Sequence, residues 1–152
     1  MYGRVIYVRE SGQSPLMEIP RAGSPLDLVV LYNNPALTAH ALTATSELAR
    51  GFETAITLMA VHVLPYPAPL ECQEGIRKRL ETELTTVARS NPAAIRVKLV
   101  FARDRADACL GLLKPRSVVV IGARQRWWTT PEERLARRLA AHGHSVAVIK
   151  VK

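Results

Sequence analysis

From Leu26 onward the chain alternates short apolar runs with stretches of helical period, and that alternation narrows the fold more than any other feature of the sequence. The runs are Leu28–Tyr32, Ala55–Val63, Ile95–Phe101, Val118–Ile121 and Ser145–Val151. Between them lie four stretches with apolar residues at helical spacing. Strands that alternate with helices build a parallel sheet with right-handed crossovers, and strands apolar throughout are buried on both faces. The reading is an α/β fold: an open five-stranded parallel sheet with helices on both faces.

Each helix carries its own punctuation. Asn34-Pro35 opens the first, whose stripe is Leu37, Ala41, Ala44, Thr45, Leu48 and Phe52, with Gly51 as a stop signal. The second runs from Glu71 to about Arg89, facing Cys72, Ile76, Leu80, Leu84 and Val87 inward. Its outer face offers the i,i+4 charge pairs Glu74–Lys78, Arg77–Glu81 and Arg79–Glu83. Asp104 and Asp107 are spaced to cap a short third helix, after a strand whose pattern suits a sheet edge. The fourth opens on Thr130-Pro131-Glu132-Glu133, with a capping threonine, a first-turn proline and a Glu133 carboxylate placed for a capping box. It turns Leu135, Ala136, Leu139 and Ala140 inward and stops at Gly143.

Residues 1–26 depart from this rhythm. Arg4–Arg9 reads as a short strand, Leu16–Ile19 as its return, and Pro20–Pro25 as a linker. The expected organisation is an N-terminal hairpin appendage over 1–26 and one domain over 27–152. A chain of 152 residues buries roughly 68–70% of its unfolded surface, so neither disulfides nor a structural metal are required. Cys72 and Cys109 fall on inward helix faces and read as buried free thiols, which fits a reducing compartment. No apolar run approaches the ~20 residues of a membrane span, and the charged start MYGRVIYVRE is no secretory signal. A cytoplasmic protein without membrane insertion is expected. The formal charge of +8 favours anionic partners or simply a solvated arginine-rich surface.

Within Ser117–Leu139 the apolar run meets Gly122, where a close backbone turn is expected, and the capped helix follows. Open α/β sheets place ligands in such a loop. The dinucleotide pattern G-x-G-x-x-G is absent after the first strand, which continues Tyr32-Asn33-Asn34-Pro35. A phosphate loop, a nucleophile elbow and a metal-ligand cluster are absent as well. His142 and His144 sit at a helix end, and His62 reads as a core or rim residue. No catalytic constellation is visible, so an enzyme is not expected. The sharpest candidates are Arg124, Arg126, Trp127 and Trp128, able to hold an anion and stack a flat group near the helix N-terminus at Pro131. The competing reading packs one tryptophan on the helix and sets the other over a hydrophobic edge or subunit contact.

Over about Leu26 to Lys152 the chain resembles the universal stress protein family. The matches run in order: Ala41–Ala49 resembles ALxxALELA, Val61–Leu64 resembles LHVV, and Phe101–Leu110 resembles GDPAEAIL. Val118–Arg124 resembles VVGSR, and Val146–Val151 the closing VLVV-type strand. The resemblance implies an adenine nucleotide alpha hydrolase-like fold with strand order 3-2-1-4-5 and a switch point between strands one and four. It also implies a non-enzymatic stress-response module, dimers through Ser145–Val151, and ATP or another adenine nucleotide as ligand; related domains also occur as cytosolic tails of membrane transporters. The family's nucleotide-binding members carry an aspartate after strand one and G-x-x-G, nine residues, G-[ST] after strand four. Here those places hold Asn33, then Gly122 and Gln125, then Leu135-Ala136, and the G-D-P turn reads Arg103-Asp104-Arg105.

Lost glycines remove the bare backbone that approaches phosphates. ATP binding in the family's usual manner is therefore not expected, and no cofactor is assigned. The alternative is a nucleotide or small-anion pocket lined by Tyr32, Asn33, Asn34, Val63, Gly122, Arg124, Gln125, Arg126 and Thr130. Nucleic acid is not an expected partner, since charge alone speaks for it.

Overall fold

The computed structural model describes residues 4–11, 26–50, 54–66, 74–114 and 117–152. The chain order is β1 (Arg4–Ser11), β2 (Leu26–Leu31), α1 (Pro35–Ala49), β3 (Thr54–Val63), α2 (Glu74–Arg89) and β4 (Ile95–Ala102). It continues with α3 (Arg105–Leu112), β5 (Val118–Arg124), α4 (Pro131–Ala141) and β6 (Ser145–Val151). The strands form one sheet ordered β1-β4-β3-β2-β5-β6. Its five parallel strands, counted from β2, stand in the order 3-2-1-4-5, as expected.

Alternation along each strand divides the core into two layers. Leu28 and Val30 of β2, Ile56 and Leu58 of β3, and Val97 and Leu99 of β4 face α1 and α2, where Leu42, Leu84 and Ala88 close the layer. Val29, Leu31, Val119 and Ile121 face the other way, against Cys109 of α3 and Leu135 and Leu139 of α4. Each fully buried leucine or isoleucine contributes about 1.5–3 kcal/mol relative to exposure. In β6, Val146 and Val148 pack on the second layer while Ala147 and Ile149 pack on the first.

The caps form as the sequence indicates. Asn34 Oδ1 accepts from Leu37 N at 2.9 Å, Asp104 Oδ1 from Asp107 N at 2.8 Å, and Thr130 Oγ1 from Glu133 N at 3.3 Å. Gly143, at φ 90°, ends α4. His144 N donates to Leu139 O at 3.2 Å and Gly143 N to Ala140 O at 3.0 Å, the paired bonds of a Schellman stop.

Several details differ from the sequence reading. Gly122 makes no turn; it lies inside β5, which runs on to Arg124. Leu48 is 68% exposed, and its place in the α1 stripe goes to Leu42 and Ala49. Ala140 is exposed too, although Leu139 beside it in the last turn of α4 is fully buried. Glu133 makes only half a capping box, its carboxylate taking Lys150 Nζ instead. On α2, Arg77 bridges Glu74 at 2.8 Å and Glu81 at 3.3 Å, whereas Glu83 accepts from the Tyr32 hydroxyl.

The strand expected at Arg4–Arg9 is present as β1. It pairs antiparallel with β4, Arg4 opposite Phe101 and Ser11 opposite Ile95, so β4 is not an edge. The return strand Leu16–Ile19, the linker Pro20–Pro25, Gly51, Phe52, Glu71 and Cys72 lie outside the described residues. Among the described residues no helix is long and apolar enough to cross a membrane.

Candidate functional site

A groove of about 340 Å³ opens where β2, β3 and β4 end, lined by Tyr32, Asn33, His62, Leu80, Arg105 and Glu132, with Ala60 and Val61 beside them. It spans both faces of the sheet: Leu80 comes from α2, Arg105 and Glu132 from the first turns of α3 and α4. A ligand site is expected at this switch point, where the crossover leaving β2 runs through α1 on one face and the crossover entering β5 runs through α3 on the other.

The floor is held by Asn33. Its Nδ2 donates to Gly122 O, while its Oδ1 accepts from Asn34 N at 2.8 Å and from Thr38 Oγ1 at 3.1 Å. One side chain thus ties the end of β2 to the middle of β5 and to α1. Behind the clasp, a Cβ on Gly122 would stand 2.4 Å from Leu37 O. The crevice between strands β2 and β5 is therefore closed by direct contact, without help from Gln125 or the tryptophans.

Around the rim, Arg105 Nη2 donates to Tyr32 O at 3.3 Å. Arg103 reaches Leu64 O at 3.1 Å and Pro65 O at 3.0 Å, and its guanidinium lies 4.1 Å from the centre of the Tyr66 ring. His62 meets Phe101 edge-on at 5.7 Å. Burial, and then the charge of Arg79, hold its pKa below 6.5, so the neutral imidazole faces the groove at neutral pH. The groove presents one guanidinium, one carboxylate, a neutral imidazole and apolar walls. That set suits a flat heteroaromatic ligand with few charges.

Of the sequence candidates, Tyr32 and Asn33 line the groove, and Gly122 supports it from below. Asn34 and the buried Thr130 are committed to caps, and Val63 is 45% exposed at the end of β3. Arg124 is the exposed last residue of β5, and Gln125 and Arg126 lie on the exposed loop after it. Gln125 and Arg126 line a different, shallow hollow of about 440 Å³ with Trp127 and Trp128. There the Arg126 guanidinium sits 5.1 Å from the Trp128 ring centre, and the two indoles meet edge-to-face at 5.0 Å. Trp127, 91% exposed, packs on neither helix nor edge.

Sequence reasoning missed Arg105, Glu132 and Leu80 as groove residues and gave His62 no ligand role. Arg105 and Glu132 each fall one or two positions inside a capped helix, a signal that could have placed them at the carboxyl ends of the strands. Among the described residues no three His, Cys, Asp or Glu side chains gather as metal ligands. Cys109 is inert: burial pushes its thiol up to about 11.

No family model and no curated protein matches the sequence. Solved structures do. The chain is similar to a universal stress protein from Archaeoglobus fulgidus at 17% identity, covering 84% of this chain and 93% of that one, with a TM-score of 0.59. The same archaeon's protein in complex with dAMP aligns at 20% identity over 84% and 98%, TM-score 0.56. A universal stress protein in complex with cAMP aligns at 14% identity over 82% and 96%, TM-score 0.54. The chain has the universal stress protein fold.

Proposed function

We propose that this chain is a divergent universal stress protein, a non-enzymatic cytoplasmic binding module of the stress response. Its switch-point groove takes an adenine nucleoside or monophosphate and does not cradle a triphosphate. The observation that carries this reading is the Asn33 clasp onto Gly122 O, which ties the end of β2 to β5 and draws the crevice at the switch point shut. Two further features favour it. Gln125 N is already bonded to Val151 O at 2.8 Å, and Glu132 and Glu133 put negative charge in the first turn of α4, where phosphate would need positive. Similar structures hold dAMP and cAMP, ligands with one phosphate.

Titration calorimetry with AMP, cyclic AMP and ATP tests the proposal. AMP or cyclic AMP is expected to bind, and ATP no more tightly than AMP. ATP binding about tenfold tighter, a difference of about 1.4 kcal/mol, would overturn it. A second reading, nucleotide capture by the Arg126–Trp128 stack, is favoured by the exposure of Trp127. It requires ligand to quench tryptophan fluorescence and Arg126→Ala to abolish that quenching, whereas the groove reading leaves both unchanged.

A further inference from the structure

The carboxyl end of the sheet carries two prongs. β2 stops at Leu31, which stands opposite Met59 of β3 and Ile121 of β5. Beyond that level β3 runs on to Val63 and β5 to Arg124. Only β2 lies between them, so the prongs stand about 10 Å apart, two strand spacings. Of the large apolar side chains exposed among the described residues, all but Leu48 sit here. Val63 and Tyr66 (73% exposed) end one prong, and Trp127 (91%) and Trp128 (47%) end the other. Apolar side chains gathered at one end of a molecule mark a surface that is covered in use.

The charges beside these rings are of one sign. Arg103 stands 4.1 Å from the centre of the Tyr66 ring and Arg126 5.1 Å from that of Trp128. Residues 124–128 are all exposed and hold two arginines, two tryptophans and no acid. Among the described residues no carboxylate pairs with Arg124 or Arg126. The nearby carboxylates are engaged or recessed: Asp104 caps α3, Glu133 takes Lys150, and Glu132 lines the groove. The loop is also anchored, Gln125 N donating to Val151 O at 2.8 Å.

Single-stranded nucleic acid and an anionic bilayer both suit arginine-flanked indoles, and the ring geometry chooses between them. Bases need open ring faces in series. Here the two indoles cross at 84°, and Tyr66 and Trp128 each have an arginine over one face. A bilayer interface asks for no stacking. It takes the indole at headgroup depth and sets arginine against anionic lipid groups. Two prongs of like charge would also repel those of a second copy. We propose that this end of the sheet docks on the headgroup region of an anionic lipid membrane. Trp127 enters first, and Arg124 and Arg126 meet the lipid phosphates. A few apolar rings with a few charges make such docking peripheral and reversible.

Trp127 and Trp128 are the chain's two tryptophans, so tryptophan emission reports this prong alone. The full chain is mixed with phosphatidylcholine vesicles, with and without about 30% phosphatidylserine, and binding is read by co-sedimentation and by emission. The anionic vesicles are expected to carry the chain down and shift its emission to the blue, with phosphatidylcholine alone at least about tenfold weaker. Trp127→Ser is expected to lower the affinity about tenfold, and Arg124→Gln and Arg126→Gln about threefold to fivefold each. Arg137→Gln removes the same charge from α4, and Leu48→Ser an exposed leucine from α1; each changes binding less than about twofold. All five positions are exposed, so the variants keep the fold. The proposal is overturned by chain that stays in the supernatant with anionic vesicles, or by emission that does not shift on binding. An Arg137→Gln loss equal to that of Arg124→Gln overturns it too, as does tighter capture of an oligothymidylate through the same tryptophans.

Discussion

At the scale of single residues, the switch point is decided by one glycine and one asparagine. Gly122 sits within a strand, so its value is not conformational freedom but absence of bulk. The carbonyl it faces belongs to Leu37, in the first turn of α1, and that turn is pinned by the Asn34 cap. The neighbour is backbone and cannot rotate aside. Gly122→Ala is therefore expected to cost about 1–3 kcal/mol through overpacking, lowering Tm by about 2–4 °C per kcal/mol in a chain of this size. Urea unfolding with an unchanged slope measures it. A variant as stable as the parent would show that α1 can shift away, and with it the Asn33 clasp.

At the scale of elements, what was legible in the sequence were features with a local cause. Caps at Asn34, Asp104 and Thr130, and the stop at Gly143, depend on neighbours a few residues away, and all four form. What was not legible depended on distant partners. Leu48 looks inward by period, yet α1 turns Leu42 and Ala49 to the sheet instead, a rotation set by packing against α2 and β5. The Glu133 carboxylate suits a box by spacing, but Lys150 of β6 competes for it. Arg105 and Glu132 join one groove only because the topology brings the starts of α3 and α4 to the same end of the sheet. The stop at Gly143 offers a clean test. At φ 90° a side chain meets its own backbone, although the space around is empty. Gly143→Ala is expected to destabilise by about 1–2 kcal/mol from backbone conformation alone, with Gly143→Asn recovering part of the loss. Equal stability of the alanine variant in urea would mean that α4 ends by another route.

At the scale of the whole molecule, the two sheet edges are treated differently. β1 covers β4 on one side, whereas β6 pairs only with β5 among the described strands and leaves its outer backbone unpaired. An open edge of seven residues, with Val146 to Ile149 half-buried, invites a second copy. The lysine that would guard this edge is drawn aside, since Lys150 bonds Glu133. Against association stands the net charge of +8, which two copies would bring together. Repulsion of that kind is screened over about 10 Å at 0.1 M salt, while strand pairing and apolar contact are not. Two copies joined through β6 should therefore separate at low salt and associate as salt rises, opposite to a complex held by charge. Dimerisation also couples to stability: a hundredfold rise in protein concentration is expected to add up to about 2.7 kcal/mol by mass action, raising the unfolding midpoint. Sedimentation equilibrium at tens of micromolar, about 10⁻⁵ M, across 0.05 to 0.5 M salt, reads the first effect, and thermal scans at several protein concentrations read the second. A monomer at every salt concentration, with a midpoint independent of protein concentration, would mean that the β6 edge is protected by charge and stays solvated.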